Sequence, residues 1–374
     1  MGESGYRICT RCVMDTSDPD IVFDEKGVCN HCHTHDQQTA VNVFLGENGQ
    51  KRLQDLIRKI KEDGRNREYD CVIGVSGGVD STFVAYKVVQ LGLRPLAVHL
   101  DNGWDSELAV KNVENICNRL KIDLHTIVLD WNEFRDLQTA FLKASTPDSE
   151  IPSDHAIVSA MLHTASRMRV KHIVTGYNLR TETHLPLSWS QGYFDWGYIK
   201  NVHYRFGSVP LKTFPHLGFV EFVSHSYRKK FVNILNFLDY SKKDVMPALQ
   251  RELGWKYYGG KHYESIYTRW YQGYWLPKKF GYDKRRAHMS SLICSGEMTR
   301  AEALKELEEP PYPPSLQRED LAYVMKKLNL TPSMMEELLR LPKKSYWDYA
   351  PYGRIFRTRP YSALRAIYRA IARP

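Results

Sequence analysis

Apolar residues along the chain change their spacing more than once. Between residues 50 and 63 (QKRLQDLIRKIKED), Leu53, Leu56, Ile57 and Ile60 recur at helical intervals with charges between them, which predicts an amphipathic connecting helix. From Tyr69 the pattern becomes short apolar runs at 71–75, 95–100, 124–129 and 172–176, separated by amphipathic stretches, notably at 81–91, 108–120 and 154–168. Strands alternating with helices of that length predict right-handed crossovers and a doubly wound parallel α/β sheet covered on both faces. Such sheets bind ligands at the carboxyl ends of their strands. Beyond about residue 226 the chain reads as mainly helical and very aromatic, with breaks at Pro277, at the prolines between 310 and 314, and at Pro342. The expected organisation is an amino-terminal module over 1–40, a linker helix over 41–68, a sheet domain over 69–225 and a mainly helical region over 226–374.

Composition narrows the class only a little. At 374 residues, with 43% hydrophobic and 25% charged, the chain has the balance of a globular protein with room for a full core. It shows no apolar run of membrane-spanning length and no signal-peptide pattern, so a cytoplasmic protein without membrane insertion is expected. The formal charge of +9 suits an anionic partner, whether nucleic acid, nucleotide-linked substrate or acidic protein. Six arginines between 354 and 373 stand with no acid among them, and read as a docking surface or a solvated basic helix.

The run VIGVSGGVDSTFVAY, residues 72–86, carries the first chemistry. An apolar strand opening into Ser76, Gly77, Gly78, Val79, Asp80 and Ser81, then a helix, turns backbone N–H groups and a helix amino terminus toward an anion. A Walker loop would place a lysine before the final serine, and none is present. Ser-Gly-Gly-Val-Asp-Ser after a first strand resembles instead the pyrophosphatase-type ATP loop (PP-loop) of asparagine, GMP and NAD synthetases and of tRNA-lysidine and tRNA-thiolation enzymes. That resemblance implies a fold of the HUP type (adenine nucleotide alpha hydrolase-like) and a loop that grips the β,γ-pyrophosphate while the α-phosphorus is attacked. It places ATP on Ser76, Gly77, Gly78, Asp80 and Ser81.

Two further segments sit where that superfamily needs them. Asp101, in VHLDNGW, follows the second run and is expected to hold adenosine or Mg2+, or else to cap the Asn102-Gly103 turn. VTGYNLRTET, residues 174–183, resembles the superfamily's Gly-His-Asn...Glu segment, which brings Gly176 and Asn178 to ATP and Glu182 to catalysis. Tyr177 replaces the usual histidine, and Arg180-Thr181 stand where acids are common.

Cys9-x2-Cys12 and Cys29-x2-Cys32 offer four thiolates in two turns, the donor set of a closed tetrahedral site, and predict structural zinc. His31, His33 and His35 are rival ligands nearby. Cys71, Cys117 and Cys294 are isolated and read as core packing.

Residues 259–300 interleave aromatic and basic side chains: Tyr263, Tyr267, Trp270, Tyr271, Tyr274 and Trp275 beside Lys261, Arg269, Lys278, Lys279, Arg285 and Arg286. Such a surface could stack a base and neutralise phosphate, although more than half of these aromatics are expected in the core. Together with the cysteine module, the loop, TGYNLRTETHLPLSW and LNFLDYSKKDVMPALQRELGW, this segment resembles the N-acetyl sugar amidotransferases of bacterial surface-polysaccharide and related sialic-acid-like sugar pathways, over residues 7–350. The resemblance implies adenylation of an acetamido oxygen on a nucleotide sugar and its replacement by ammonia, giving an acetamidino group, AMP and pyrophosphate. Asp80, Glu182 and Lys243 would be catalytic. Lys242 and Lys243 would face ATP, or merely open a solvated helix. Arg269, Lys278, Arg285 and Arg286 would take the sugar's diphosphate or carboxylate, or serve structure. No glutaminase-like nucleophile motif is present, so ammonia is expected from elsewhere. The family implies a glutaminase resembling the histidine-biosynthesis amidotransferase subunit and a barrel-type subunit delivering ammonia, with no nucleic acid. A tRNA-modifying PP-loop enzyme whose zinc module meets RNA is the alternative.

Overall fold

The computed structural model of the chain describes residues 5–260 and 263–352. Five parallel strands, β1 (Cys71–Gly74), β2 (Pro95–Asp101), β3 (Asp123–Val128), β4 (His172–Thr175) and β5 (Lys230–Asn233), form one sheet in the order β3-β2-β1-β4-β5. Ile73 of β1 lies opposite Ala97 on one side and Val174 on the other. Alternate side chains sort to opposite faces. Cys71, Ile73 and Val75 enter the core with helices Val79–Gln90, Glu107–Leu120 and Lys242–Leu253, while Val72 joins Leu96, Val98 and Ile173 against helix Ile151–Arg167. Both faces are covered, which is why residues 71–75 read as an unbroken apolar run.

The chain steps outward from β1 through β2 to β3, then returns to the other side of β1 for β4 and β5. The segments leaving β1 and β4 therefore flank the switch point of the sheet, where α/β folds open a crevice. β5 lies beyond residue 226, in the stretch that reads as mainly helical, so that region also supplies an edge strand of the sheet. Its KFVN sequence buries only Val232 and exposes Lys230 and Phe231, so no apolar run marks it.

A second large core lies among helices Trp131–Ala144, Trp196–Phe206 and the continuous helical run from Ile266 to Phe280, whose middle, Tyr271–Trp275, is a π-helix. Tyr267, Trp270, Tyr271 and Trp275 are buried there with Phe134, Phe141 and Tyr198, so four of the six aromatics expected in an aromatic-basic segment are packing residues. The amino-terminal module rests on helices Lys284–Cys294 and Arg300–Glu308. Arg286 pairs with Asp15 at 3.0 Å and donates to the Val13 carbonyl at 2.9 Å, and Arg300 donates to the Cys9 and Cys12 carbonyls at 3.0 Å each. Among the described residues no helix is long and apolar enough to cross a membrane. The arginine-rich stretch 354–373 lies outside the described residues.

One buried histidine ties stability to pH. His155 meets the Tyr193 carbonyl through Nδ1 at 2.7 Å and accepts the Leu217 N–H at Nε2, 3.2 Å away, which fixes the neutral tautomer with its proton on Nδ1. Burial lowers its pKa from 6.5 to about 4, against a smaller upward pull from the Tyr193 carbonyl. Above pH 6.5 both folded and unfolded chains hold it neutral; between 6.5 and 4 only the unfolded chain takes up the proton, and below 4 both do. This residue should thus remove about 3 kcal/mol of stability as pH falls through that window. Urea unfolding from pH 7 to pH 4 checks it: the pH slope should be shallower in His155→Gln, and an equal slope would exclude the effect.

Candidate active site

β1 ends in a loop whose conformation only glycine tolerates. Gly77 has φ of +77°, and its carbonyl is held by Trp255 Nε1 at 2.9 Å and by Asn112 Nδ2 at 3.3 Å, both side chains buried. The loop closes on itself through Ser76 Oγ and Ser81 Oγ, 3.2 Å apart, and through Ser81 Oγ donating to the Gly78 carbonyl at 3.1 Å. Helix Val79–Gln90 starts at once with no side-chain cap, so its first-turn N–H groups face the crevice beside two hydroxyls. This is an anion cradle built from backbone.

The segment after β4 closes over it. A Cβ at Gly176 would stand 3.3 Å from Asp80 backbone and side chain, so the glycine lets the two loops touch. Asn178 caps helix Leu179–Glu182 by accepting the Arg180 N–H at 3.0 Å, and its buried Nδ2 has no acceptor among the described residues. Arg180, which stands where acids are common in the resembled superfamily, pairs with Glu297 at 3.1 Å.

These elements border a cavity of about 860 Å³, large for a small-molecule site. Ser76, Gly78, Asp80, Ser81, Glu182 and Lys242 line its wall, and Arg269 and Arg285 also reach it. Asp80 accepts hydrogen bonds from the Tyr240 hydroxyl and pairs with Lys242 Nζ at 2.8 Å. Burial works against the Lys242 ammonium, but Asp80, with Glu182 and Glu264 beside it, more than offsets this and holds the lysine pKa above its ordinary value.

Several nominated residues are placed differently. Lys243 is exposed and off the wall, because one step along helix Lys242–Leu253 turns a side chain about 100°. Asp101 also stands off the wall, its carboxylate accepting the Gly103 N–H at 2.8 Å, which is the turn-capping alternative. Lys278 is exposed and donates to the Tyr274 hydroxyl, and Arg286 holds the amino-terminal module. Arg269 reaches the cavity already paired bidentately with Asp320 at 2.7 Å, and Arg285 chelates Asp283 while donating to the Glu306 and Glu309 carbonyls.

Sequence reasoning did not single out the cavity-lining Asp154, Tyr258, Glu264 and Lys284. Asp154 donates its backbone N–H to the Glu150 carbonyl at 3.1 Å, and its carboxyl group has no hydrogen-bond or ion-pair partner among the described residues. Burial raises its pKa well above the ordinary value, and Asp148 and Glu150 add to this. Lys284 pairs with Glu150 at 3.4 Å and Asp148 at 4.0 Å; burial opposes its charge, and the three acids restore it.

At the amino-terminal module, Cys9, Cys12, Cys29 and Cys32 are wholly buried with their sulfurs converging. Sγ separations of 3.9 Å (Cys9 to Cys32), 3.7 Å (Cys12 to Cys29) and 3.7 Å (Cys29 to Cys32) match the ~3.8 Å edge of a tetrahedron of thiolates around zinc. The donor set thus fits one ion of that size. His31 and His33 turn away to Asp18 and Asp24, and His35 to Thr183. Cys294 corrects the expectation of isolated packing: its sulfur lies 3.6 Å from Cys32 Sγ.

Residues 264–361 match the family described as LPS biosynthesis protein WbpG-like, C-terminal domain, and residues 50–178 match that described as NAD synthase. The chain thus joins an NAD synthase-type segment to a WbpG-like carboxyl-terminal domain. The two matches meet at the cavity, since the NAD synthase match holds the cradle and the WbpG-like match holds Glu264, Arg269, Lys284 and Arg285.

Among curated relatives, the chain is 24% identical over 174 residues to an uncharacterized protein of Methanocaldococcus jannaschii, covering 46% of this chain and 59% of that one. It is 30% identical over 129 residues to the tRNA-specific 2-thiouridylase MnmA of Vesicomyosocius okutanii, covering 31% and 35%. The chain thus spans less than two thirds of either relative. Similar solved structures include the NMN synthetase from Francisella tularensis (13% identity, 80% of this chain and 99% of that one, TM-score 0.38). Another is the NH3-dependent NAD synthetase from Campylobacter jejuni (15% identity, 76% and 97%, TM-score 0.30).

Proposed function

We propose that this WbpG-like PP-loop protein is an ATP-dependent, AMP-forming amidotransferase acting on the acetamido group of a nucleotide-linked sugar. The observation that carries the reading is the single cavity in which the PP-loop faces residues of the WbpG-like domain. An acetamido group is a stable amide whose oxygen ammonia cannot expel unaided. In the proposed reaction that oxygen attacks the α-phosphorus of ATP, and the bond to the bridging oxygen breaks to release pyrophosphate. Ammonia then adds to the O-adenylyl imidate, a proton is lost, and AMP departs with the former amide oxygen, leaving C=NH.

No protein nucleophile is needed, and the demands on the chain are alignment and charge stabilisation. The loop N–H groups, Ser76, Ser81 and Lys242 would hold the leaving pyrophosphate. Asp80 and Glu182 are the cavity carboxylates suited to Mg2+, which when bound neutralises phosphate charge. The four-cysteine cluster is assigned to structural zinc. Ammonia would come from a separate glutaminase with a barrel-type delivering subunit, and surface-polysaccharide biosynthesis in the cytoplasm is the setting that suits this chemistry.

The likeness to MnmA and the +9 charge favour a second reading, tRNA thiolation. Against it, no cysteine lines the cavity among the described residues. The deciding assay incubates the chain with ATP, Mg2+, ammonium and a UDP-diacetamido-uronic acid. Expected are one AMP per acetamidino product and the mass change of oxygen replaced by NH. AMP formation only with tRNA would transfer the chain to the second reading, and ADP with orthophosphate would remove both.

A further inference from the structure

Beside the four-cysteine cluster stand two donors that it does not use. Cys294 Sγ is 3.6 Å from Cys32 Sγ and 3.6 Å from His184 Nε2, and all three donor atoms lie within 4.8 Å of one another. For a tetrahedral ion at ordinary zinc distances, the sulfur–sulfur edge is ~3.8 Å and the sulfur–nitrogen edge ~3.6 Å. The two edges that meet at Cys294 are already close to those lengths before any ion is placed.

The histidine is also set for ligation. Ser291 Oγ donates its hydrogen to the Ala287 carbonyl at 3.2 Å and accepts the backbone N–H of His184 at 3.2 Å. Ser291 Oγ at 3.0 Å and Thr183 Oγ1 at 3.3 Å both engage His184 Nδ1, which leaves Nε2 as the ring nitrogen that faces Cys294. An outer partner that fixes the ring nitrogen in this way is the usual accompaniment of a metal-bound histidine. His184 and Cys32 are wholly buried, whereas Cys294 is partly exposed, which leaves a route for an ion and a fourth position for water.

We propose that Cys32, His184 and Cys294 form a second site for a thiophilic divalent cation, sharing the Cys32 thiolate with the ion of the four-cysteine cluster. The arrangement is two tetrahedra joined at one sulfur. Its ligands come from three separate parts of the fold. Cys32 lies in the first turn of helix Asn30–Asn42, His184 lies two residues past helix Leu179–Glu182, and Cys294 ends helix Lys284–Cys294. Glu182 and Lys284, on the last two of these helices, line the cavity. A bound second ion therefore clamps both cavity helices to the amino-terminal module.

The test is metal content and spectroscopy on the full chain, independent of turnover. Purified protein is saturated with zinc, freed of excess by gel filtration, and assayed by plasma mass spectrometry; a parallel sample is titrated with Co2+. Wild type should bind two equivalents, the second adding thiolate-to-cobalt absorption and weakening the cobalt paramagnetic resonance signal by coupling through the shared sulfur. Cys294→Ser and, separately, His184→Gln should each bind one equivalent while keeping the charge-transfer band of the first, which shows that the module remains folded. Saturation of wild type at one equivalent, or two equivalents in both variants, would overturn the second site.

Discussion

Gly77→Ala should abolish nucleotide binding and destabilise the fold, whereas Gly78→Ala should fold like the wild type and still bind poorly. At Gly77 the positive φ alone costs an L-residue about 1–2 kcal/mol. A Cβ there would also stand 2.5 Å from the Ala109 carbonyl oxygen, a backbone atom of helix Glu107–Leu120 that cannot swing aside. Relief means moving the loop, yet Trp255 and Asn112 hold its carbonyl in place. A total near 2–4 kcal/mol is the expected loss. At Gly78 φ is −73°, compatible with any residue, and the added carbon meets side-chain ends, Ser76 Oγ at 3.2 Å and the Tyr258 hydroxyl at 3.3 Å. Its methyl would intrude on the cradle without straining it. Urea unfolding and calorimetric titration with Mg-ATP separate the two effects, and ATP affinity preserved in both variants would mean that the loop does not hold the nucleotide.

Loss of metal from the four-cysteine cluster should have the next largest effect, and it should reach the cavity. Cys12→Ser leaves three buried thiolates around an incomplete shell, and binding free energy at such a site is folding free energy. A fall in the thermal midpoint of about 5 °C is expected, given a loss of several kcal/mol in a chain of this size. The module is not a separate bead. Val13 packs with Met289 and Ala303, and Arg286 and Arg300 grip its carbonyls, so its unfolding frees helix Lys284–Cys294 along its length. Hydrogen exchange should consequently rise over residues 284–294 as well as 9–32 in Cys12→Ser. Exchange confined to the module would show that the two are uncoupled.

The parts of the fold that were legible in the sequence are those where local pattern and tertiary role agree. β1, β2 and β4 are largely buried and announce themselves as apolar runs; β3, an edge strand with Leu124 and Val128 exposed, is still marked by its apolar residues, whereas β5, the opposite edge strand with Lys230 and Phe231 exposed, is not. The cradle was legible because strand, glycines and helix are contiguous. Lys242 and Lys243 were inseparable in sequence, yet one faces Asp80 and the other solvent. Sequence leaves Arg269 and Arg286 open between ligand binding and structure, and the fold pairs them with Asp320 and Asp15, 51 and 271 positions away, distances at which sequence carries no pairing signal. Asp154, Glu264 and Lys284 look like ordinary polar positions of helices and loops until the fold turns them into one cavity. Cys294 joins Cys32 across 262 residues, and nothing local could have marked it.

The charged groups on the cavity wall are unevenly matched. Asp80, Asp154, Glu182, Glu264, Asp283 and Glu306 stand against Lys242, Arg269, Lys284 and Arg285, six carboxyl groups to four cations among the described residues. A chain whose overall charge is +9 therefore offers a naked polyphosphate no electrostatic bargain at the one place it would bind. The countercharge has to travel with the guest: free triphosphate should be a poor visitor, and its divalent-ion complex the species that is admitted.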